Sequence, residues 1–169
     1  MPEAHATIGE YLAEHEPVLV LWHHLDGLVG HGESRRAAIE TLTEPAAFVY
    51  LAGVFEGEVV KGGFRQFLSG PSGEFANATL RALREIGAHA SLELLEKALA
   101  VFPEGVAPAD WGARLADLAQ SDEGDPRFFE AFDDIYNRYV DAQSPDRVEN
   151  INALLLDYMK EHAGDRIVA

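Results

Sequence analysis

The sequence predicts an all-α fold: a single compact multi-helix domain over residues 1–169, built around a buried central helix at about residues 44–61. Apolar residues recur every three or four positions in most segments, as they do on one face of a helix. No sustained alternation of apolar and polar residues predicts a strand, and no typical hairpin turn joins two such segments. The length of 169 residues suits one domain with its own core.

The predicted central helix follows several shorter helices and is ended by two glycines. Thr43 is its predicted N-cap, and Pro45 fits its first turn. It is apolar on nearly every side, which is typical of a helix in the interior. Gly62 and Gly63 end it, because glycine adopts the left-handed conformation of a helix C-terminus without a Cβ clash. The helices predicted before it cover residues 7–15, 17–28 and 34–42.

After the central helix, the sequence predicts a short helix at residues 64–68, a loop at 69–73 and five longer helices. Ser91 is the predicted N-cap of one of these. The pairs Asp125-Pro126 and Ser144-Pro145 are the predicted starts of the last two, since proline is well placed at the first helical position. The five helices cover residues 74–86, 92–102, 109–119, 126–142 and 145–163.

Net charge is the unusual feature of the composition. The chain has 29 acidic and 13 basic residues, a formal net charge of −16. Direct binding to nucleic acid requires a basic surface, so we expect none. No segment is long and apolar enough for a membrane span, the first residues lack the basic start of a signal peptide, and cysteine is absent. We therefore expect a cytoplasmic protein whose acidity either keeps it soluble or attracts a basic partner.

No group of residues predicts catalysis, a metal site or a cofactor. His23, His24, Asp26 and His31 lack the spacing of metal ligands on a helix, and ordinary surface or interface histidines are the simpler interpretation. The glycine pair is not followed by the Gly-Lys-Ser or Gly-Lys-Thr of a phosphate-binding loop. We therefore predict no catalytic residue, no metal and no cofactor. The side chains that could line a small pocket are Gln66 with Trp22 or Trp111.

Acidic residues are concentrated on the helix predicted over residues 126–142, on the face opposite its aromatic residues. Spacing by three and four residues places neighbouring acids about 5–6 Å apart, comparable with phosphates along a strand. A DNA-binding protein could recognise such an array, whereas the simpler interpretation is the solvated face of an amphipathic helix. Arg127 and Arg138 interrupt the array, and Arg114 lies between Asp110 and Asp117. The candidate partner-binding residues are Asp117, Asp122, Glu123, Asp125, Glu130, Asp133, Asp134 and Asp141.

Glu58 lies near the end of the predicted central helix, beside the glycine pair. One interpretation is a ligand-binding or catalytic carboxylate whose pKa is raised by burial. The other is a structural carboxylate that accepts backbone N–H groups of the following turn or pairs with an arginine such as Arg65. The structural role is favoured, because buried acids usually have structural partners.

The segment that starts at Glu58 carries a recognisable motif. Its residues are Glu58, Gly62, Gly63, Phe64, Gln66, Phe67 and Gly73, and Ile86-Gly87-Ala88 and Phe102-Pro103 follow in order. In this arrangement the chain resembles the DMP19-like family, also known as the DUF4375 domain family, best over residues 50–103. Lys61 and Gly70 stand where that family usually has asparagine.

The resemblance implies an all-α fold, mainly structural roles for the motif residues and, for the best-known member type, action as a DNA mimic. Such a protein offers an acidic surface to a DNA-binding transcription factor and keeps it from its operator. The leading hypothesis is therefore an acidic protein that sequesters a basic DNA-binding protein, such as a bacterial transcription regulator, and is not an enzyme. A homodimer would cover two half-sites about 34 Å apart.

Two other hypotheses stay open. One is a small-ligand-binding or enzymatic domain with a pocket near Glu58 and the Gly-Gly-Phe turn. The other is a scaffold, or a toxin–antitoxin or immunity partner, whose acidity is incidental to its function.

Overall fold

The computed structural model describes residues 6–141 and 149–169, and every named element within them is helical. The all-α prediction is confirmed; the only β pairing in the described ranges is two isolated bridges, Thr7 with Arg166 and Leu42 with Val168. Short 3₁₀ helices lie at Ile8–Ala13, Pro71–Phe75 and Pro103–Gly105. The α-helices are α1 Pro17–Val29, α2 Arg35–Glu40, α3 Glu44–Ser69, α4 Ala76–Glu85, α5 His89–Leu99, α6 Trp111–Gly124, α7 Phe128–Val140 and α8 Ile151–Glu161.

Helix α3 is the centre of the domain, as the sequence predicts. It packs against α1, α4, α6, α7 and α8. The ring of Phe55, fully buried, meets three other buried rings edge to face: Phe67 at 5.3 Å, Tyr136 at 5.6 Å and Phe64 at 5.8 Å between ring centroids. Edge-to-face pairs of this kind add to the stabilisation from burial alone. The core is thus an aromatic cluster that joins both parts of α3 to α7.

The predicted break at the glycine pair is present, at Gly63. Its φ of 79° and ψ of 178° are not helical, and helical turns resume after it. This conformation is available essentially only to glycine. A Cβ at this position would also lie 1.9 Å from Oδ2 of Asp133 on α7. Gly63 therefore kinks α3 and lets α7 approach it closely.

Two predicted helix starts have side-chain partners distant in sequence. Thr43 is the N-cap residue of α3, as predicted, although its hydroxyl donates to the Arg166 carbonyl oxygen at 2.5 Å instead of capping the helix. The predicted N-cap at Ser91 is wrong. Ser91 lies inside α5, which starts at His89, and the Glu149 carboxylate accepts its hydroxyl and its backbone N–H.

The remaining boundaries differ from the predictions by a few residues. Helix α7 starts at Phe128, because Asp125 accepts the N–H of Arg127 and holds a turn there instead of capping a helix at Pro126. The last helix starts at Ile151 with Asn150 as its N-cap, and the predicted start at Ser144-Pro145 lies outside the described residues. The predicted first helix is the 3₁₀ helix Ile8–Ala13, and the predicted loop 69–73 partly forms another, Pro71–Phe75.

A buried arginine holds the segment after α3 in place. Arg114 of α6 is 1% exposed. Its guanidinium donates to the carbonyl oxygens of Leu68 at 2.8 Å, Gly70 at 3.0 Å and Pro108 at 2.7 Å. Burial lowers its pKa from the usual value, with no hydrogen-bonded carboxylate among the described residues. Arg114, which lies between two acidic residues in the sequence, is therefore an internal residue whose hydrogen bonds connect α6 to the end of α3.

Candidate functional site

A cleft of about 770 Å³ opens between α1 and α3, with the Pro71–Phe75 turn and α8 at its borders. This volume lies within the range of small-molecule sites. Its walls combine apolar surface with charged and polar groups of both signs. The polar residues that line it are His23, Asp26, His31, Arg35, Tyr50, Glu56, Glu58, Lys61, Ser72 and Asn152.

Four polar side chains form a hydrogen-bonded network at this cleft. The hydroxyl of Ser72 donates to Oε1 of Glu58 at 2.6 Å. The Ser72 hydroxyl oxygen accepts from Nη1 and Nη2 of Arg35 at 3.4 and 3.3 Å, and Nη2 also donates to the hydroxyl of Tyr50 at 3.2 Å. Ser72 therefore connects the Glu58 carboxylate to the Arg35 guanidinium, and these two charged groups form no direct ion pair.

The charge of Arg35 is unusually poorly compensated. The residue is 8% exposed, and no carboxylate of the described residues lies within 4 Å of its guanidinium. Its Nε is buried without a hydrogen-bond partner. The ring of Phe75, 5.2 Å from the guanidinium carbon, supplies a cation–π contact. Because a buried charge without a counter-charge is costly, this arginine has unused binding capacity.

Burial raises the pKa of two groups in the same network. Desolvation raises the pKa of Glu58, against the opposing effects of the Ser72 hydrogen bond and the Arg35 charge. Desolvation also raises the pKa of the Tyr50 hydroxyl, although its bond from Arg35 acts in the opposite direction. Tyr50 stays a neutral donor at neutral pH, and no described residue accepts its proton. Oε2 of Glu58 likewise receives no hydrogen bond from the described residues.

The apolar wall of the cleft is built around Trp22. The indole stacks on Tyr50 with 6.2 Å between ring centroids and 10° between planes, and its Nε1 donates to the Tyr50 carbonyl oxygen at 3.3 Å. Gly53 lets the ring lie flat on α3, since a Cβ there would be 2.3 Å from the indole. Leu19 and Val60, 45% and 49% exposed, extend this wall. Trp22 is thus fixed in orientation while part of it stays accessible.

The predicted site residue Glu58 lies in this cleft, but its predicted structural partners are wrong. It accepts from Ser72, not from the backbone of the following turn. Arg65 instead forms a bidentate ion pair with Asp122 of α6. The backbone N–H after the glycine pair, that of Phe64, donates to Oδ1 of Asp133 at 2.6 Å.

The other motif residues occupy structural positions. Phe64 and Phe67 are in the aromatic core. Gln66 packs against Gly62 and is absent from the lining of the cleft. Gly73 is buried between the Leu68 carbonyl and Arg114, where a Cβ would lie 2.3 and 2.7 Å from their atoms.

The eight acidic candidates fall into different environments. Asp122 pairs with Arg65, Asp133 is half-buried at the kink and Asp125 accepts the Arg127 N–H. Asp117 is half-buried and Asp141 is exposed. The remaining three are exposed and have no cation within 4 Å in residues 6–141 and 149–169: Glu123, Glu130 and Asp134.

The four residues considered as metal ligands lie in different places. His23, Asp26 and His31 line the cleft, whereas His24 lies against the Tyr11 ring at 5.8 Å. No group of three His, Cys, Asp or Glu side chains in the described part of the chain is arranged to hold a metal. Trp111, the other predicted pocket tryptophan, does not line the cleft; it is 61% exposed and donates to the Ser69 carbonyl oxygen at 2.8 Å.

Sequence reasoning missed three of the four residues that form the polar network in the cleft. Arg35 follows a turn in a short helix, Tyr50 is part of the apolar α3 pattern, and Ser72 looks like an ordinary loop residue. They meet only through tertiary packing, 15 to 37 positions apart in the chain. The one available signal is that an arginine precedes, and a serine follows, the predicted helix that carries Glu58 near its end.

Comparison with known proteins adds a family to this geometry. A family model described as DMP19-like protein matches residues 40–162, well over half of the chain. The chain belongs to the DMP19-like family. The match runs from the end of α2 through α8, so the DMP19-like region holds the kink, α7 and most of the cleft. No curated protein and no solved structure matches the chain. In the described ranges, no helix combines the length and apolar character needed to cross a membrane.

Proposed function

We propose that this DMP19-like protein binds a basic DNA-binding protein, such as a transcription regulator, and competes with DNA for it. The observation that carries the proposal is the exposed acidity of α6 and α7. Glu123, Glu130 and Asp134 face solvent without a cation within 4 Å among the described residues. They belong to a chain with a net charge of −16. Family membership supports the proposal through the DNA-mimic activity that the resemblance implies.

The rigid setting of α7 is the second support. Asp133, on the same helix as Glu130 and Asp134, is bonded to the Phe64 backbone, and Tyr136 is buried against Phe55. These two contacts fix the helix on α3. Carboxylates on a fixed helix keep constant spacing, which a protein that recognises phosphate positions requires. Asp122 and Asp133 contribute less to such recognition, because their charges are already engaged.

A capture experiment tests the proposal. The immobilised protein is exposed at low salt to a lysate, captured proteins are identified, and each is then purified and assayed with its own DNA site. We expect a DNA-binding protein whose binding to DNA and to this chain is mutually exclusive. A captured protein that binds DNA and this chain simultaneously, or capture of no DNA-binding protein, contradicts the proposal.

A matched pair of variants assigns the binding surface. Glu130→Gln with Asp134→Asn removes two exposed charges from α7, and Glu40→Gln with Glu85→Gln removes two exposed charges from α2 and α4. Both double variants change the net charge equally. We expect the α7 variant to bind the purified partner at least about tenfold more weakly, since close charge pairs across an interface contribute strongly. Equal losses in both variants would indicate attraction by net charge without a defined face.

A further inference from the structure

We infer that the cleft between α1 and α3 binds a small zwitterion: an amino acid with a large apolar side chain, held by its carboxylate at Arg35 and by its ammonium group at Glu58. This inference is independent of the acidic face on α7. It rests on the unused hydrogen-bonding capacity of the network, the position of its two charges and the apolar wall beside them.

We assign an anionic group to the ligand because two side chains of the cleft have hydrogen-bond donors without an acceptor in the described part of the chain. Arg35 is more than nine-tenths buried, lacks a carboxylate within 4 Å in the described residues and has an unpartnered Nε. The Tyr50 hydroxyl accepts from Arg35 and donates to no described residue. A guanidinium and a phenolic O–H side by side suit a carboxylate, which accepts several hydrogen bonds and neutralises the arginine.

We assign a cationic group to the ligand because the Glu58 carboxylate lies beside those donors. Glu58 uses Oε1 for Ser72 and leaves Oε2 without a described donor. Asp26 and Glu56 line the same cleft. A purely anionic ligand would be repelled by these carboxylates, and a purely cationic one would leave Arg35 uncompensated. A ligand that carries both charges close together matches both groups, which lie on either side of the Ser72 hydroxyl.

The apolar walls of the cleft determine the chemistry of the rest of the ligand. The fixed indole of Trp22 and the exposed parts of Leu19 and Val60 give an apolar surface next to the polar network. Sites for small molecules typically combine an apolar lining with a few convergent polar groups. The volume of about 770 Å³ accommodates a bulky side chain of the ligand as well as its charged head.

The test is an NMR titration of the full chain, labelled with ¹⁵N, with L-phenylalanine and two controls that each lack one charge. These are L-phenylalaninamide and N-acetyl-L-phenylalanine. We expect L-phenylalanine to shift the Trp22 indole resonance in a saturable way and to bind at least about tenfold more tightly than either control, because a hydrogen bond to a charged group contributes about 1.5–3 kcal/mol. Absence of saturable shifts overturns the inference, and so does a control that binds as tightly as L-phenylalanine.

Variants separate the cleft from the rest of the surface. Glu58→Gln keeps an acceptor for Ser72 but removes the charge, and we expect at least about tenfold weaker binding of L-phenylalanine. The control Glu85→Gln, at an exposed position of α4 outside the cleft, leaves that affinity unchanged. The amide spectrum of each variant reports whether it is folded. Unaltered affinity in a folded Glu58→Gln variant contradicts the assignment of the ammonium group to Glu58.

Discussion

A half-buried carboxylate has a different role on each of the two sides of α3. Near the kink, Asp133 accepts the backbone N–H of Phe64 at 2.6 Å and lies so close to Gly63 that a Cβ there would be 1.9 Å from its Oδ2. At the cleft, Glu58 accepts one hydroxyl and keeps an oxygen free beside an open volume of about 770 Å³. Desolvation raises the pKa of both carboxyl groups. A raised pKa alone therefore does not identify a binding site; the accessible oxygen and the neighbouring Arg35 do.

The largest expected effect is at the kink. Gly63→Ala places a side chain in a backbone conformation that only glycine adopts easily and drives it into Asp133. We expect a loss of about 2–4 kcal/mol in the free energy of unfolding. Urea denaturation measures it. The control Gly27→Ala, in α1 with open space around its Cβ, should gain about 0.5–1 kcal/mol. Equal stability of the Gly63 variant and the native chain would show that the kink is not constrained.

The carboxylate at the kink should be more important for stability than the one at the cleft. Asp133→Ala leaves the Phe64 N–H without its acceptor, and we expect a loss of about 1–3 kcal/mol. Urea denaturation with an unchanged m-value is the measurement, because an unchanged slope shows that only stability differs. A stability equal to that of the native chain would mean that water satisfies the Phe64 N–H.

Glu58→Ala is the matching change on the cleft side. The Ser72 hydroxyl loses its acceptor but borders an open cleft, where water can replace the carboxylate. We expect a loss below about 1 kcal/mol, smaller than for Asp133→Ala. The reverse order of the two variants in the same denaturation series would contradict the distinction between the two sides.

The smallest expected effect is a pH dependence specific to Glu58. Because its pKa is raised in the folded chain, protonation favours the folded state. The contribution is present below the ordinary value of 4.5 and is lost as the pH rises through the folded-state pKa. The stability of the native chain relative to Glu58→Gln should therefore fall as the pH rises from about 4.5. Parallel denaturation curves at each pH check this, and a constant difference would show that the pKa is unshifted.

The sequence predicts the parts of this molecule that local patterns determine. Because the side chains of α3 are apolar on nearly every face, the sequence identifies it as the central helix. The adjacent glycines locate the break at Gly63. The position of Glu58 beside a pocket was one of the open alternatives. Its partners were not predictable, because Ser72 and Arg35 reach it only after the chain has folded.

Long-range capping explains most of the other differences. Nothing local to Ser91 indicates that Glu149 will satisfy the start of α5. Asp133 resembles its acidic neighbours on α7 in sequence, yet packing turns it toward Phe64 while Glu130 and Asp134 stay in solvent. Helical periodicity indicates the face of a helix, but it does not show which polar residue at the edge of that face meets a neighbouring backbone.

The most direct test of the proposed function is the salt dependence of binding to the captured DNA-binding partner. Titrations at several salt concentrations give the slope of log Kd against log salt for the native chain, the Glu130→Gln/Asp134→Asn variant and the Glu58→Gln variant. We predict a steep slope for the native chain, a smaller one for the α7 variant and a native slope for Glu58→Gln. A native affinity that does not change with salt, or a slope that the α7 substitutions leave unaltered, would contradict binding through the exposed carboxylates of α7.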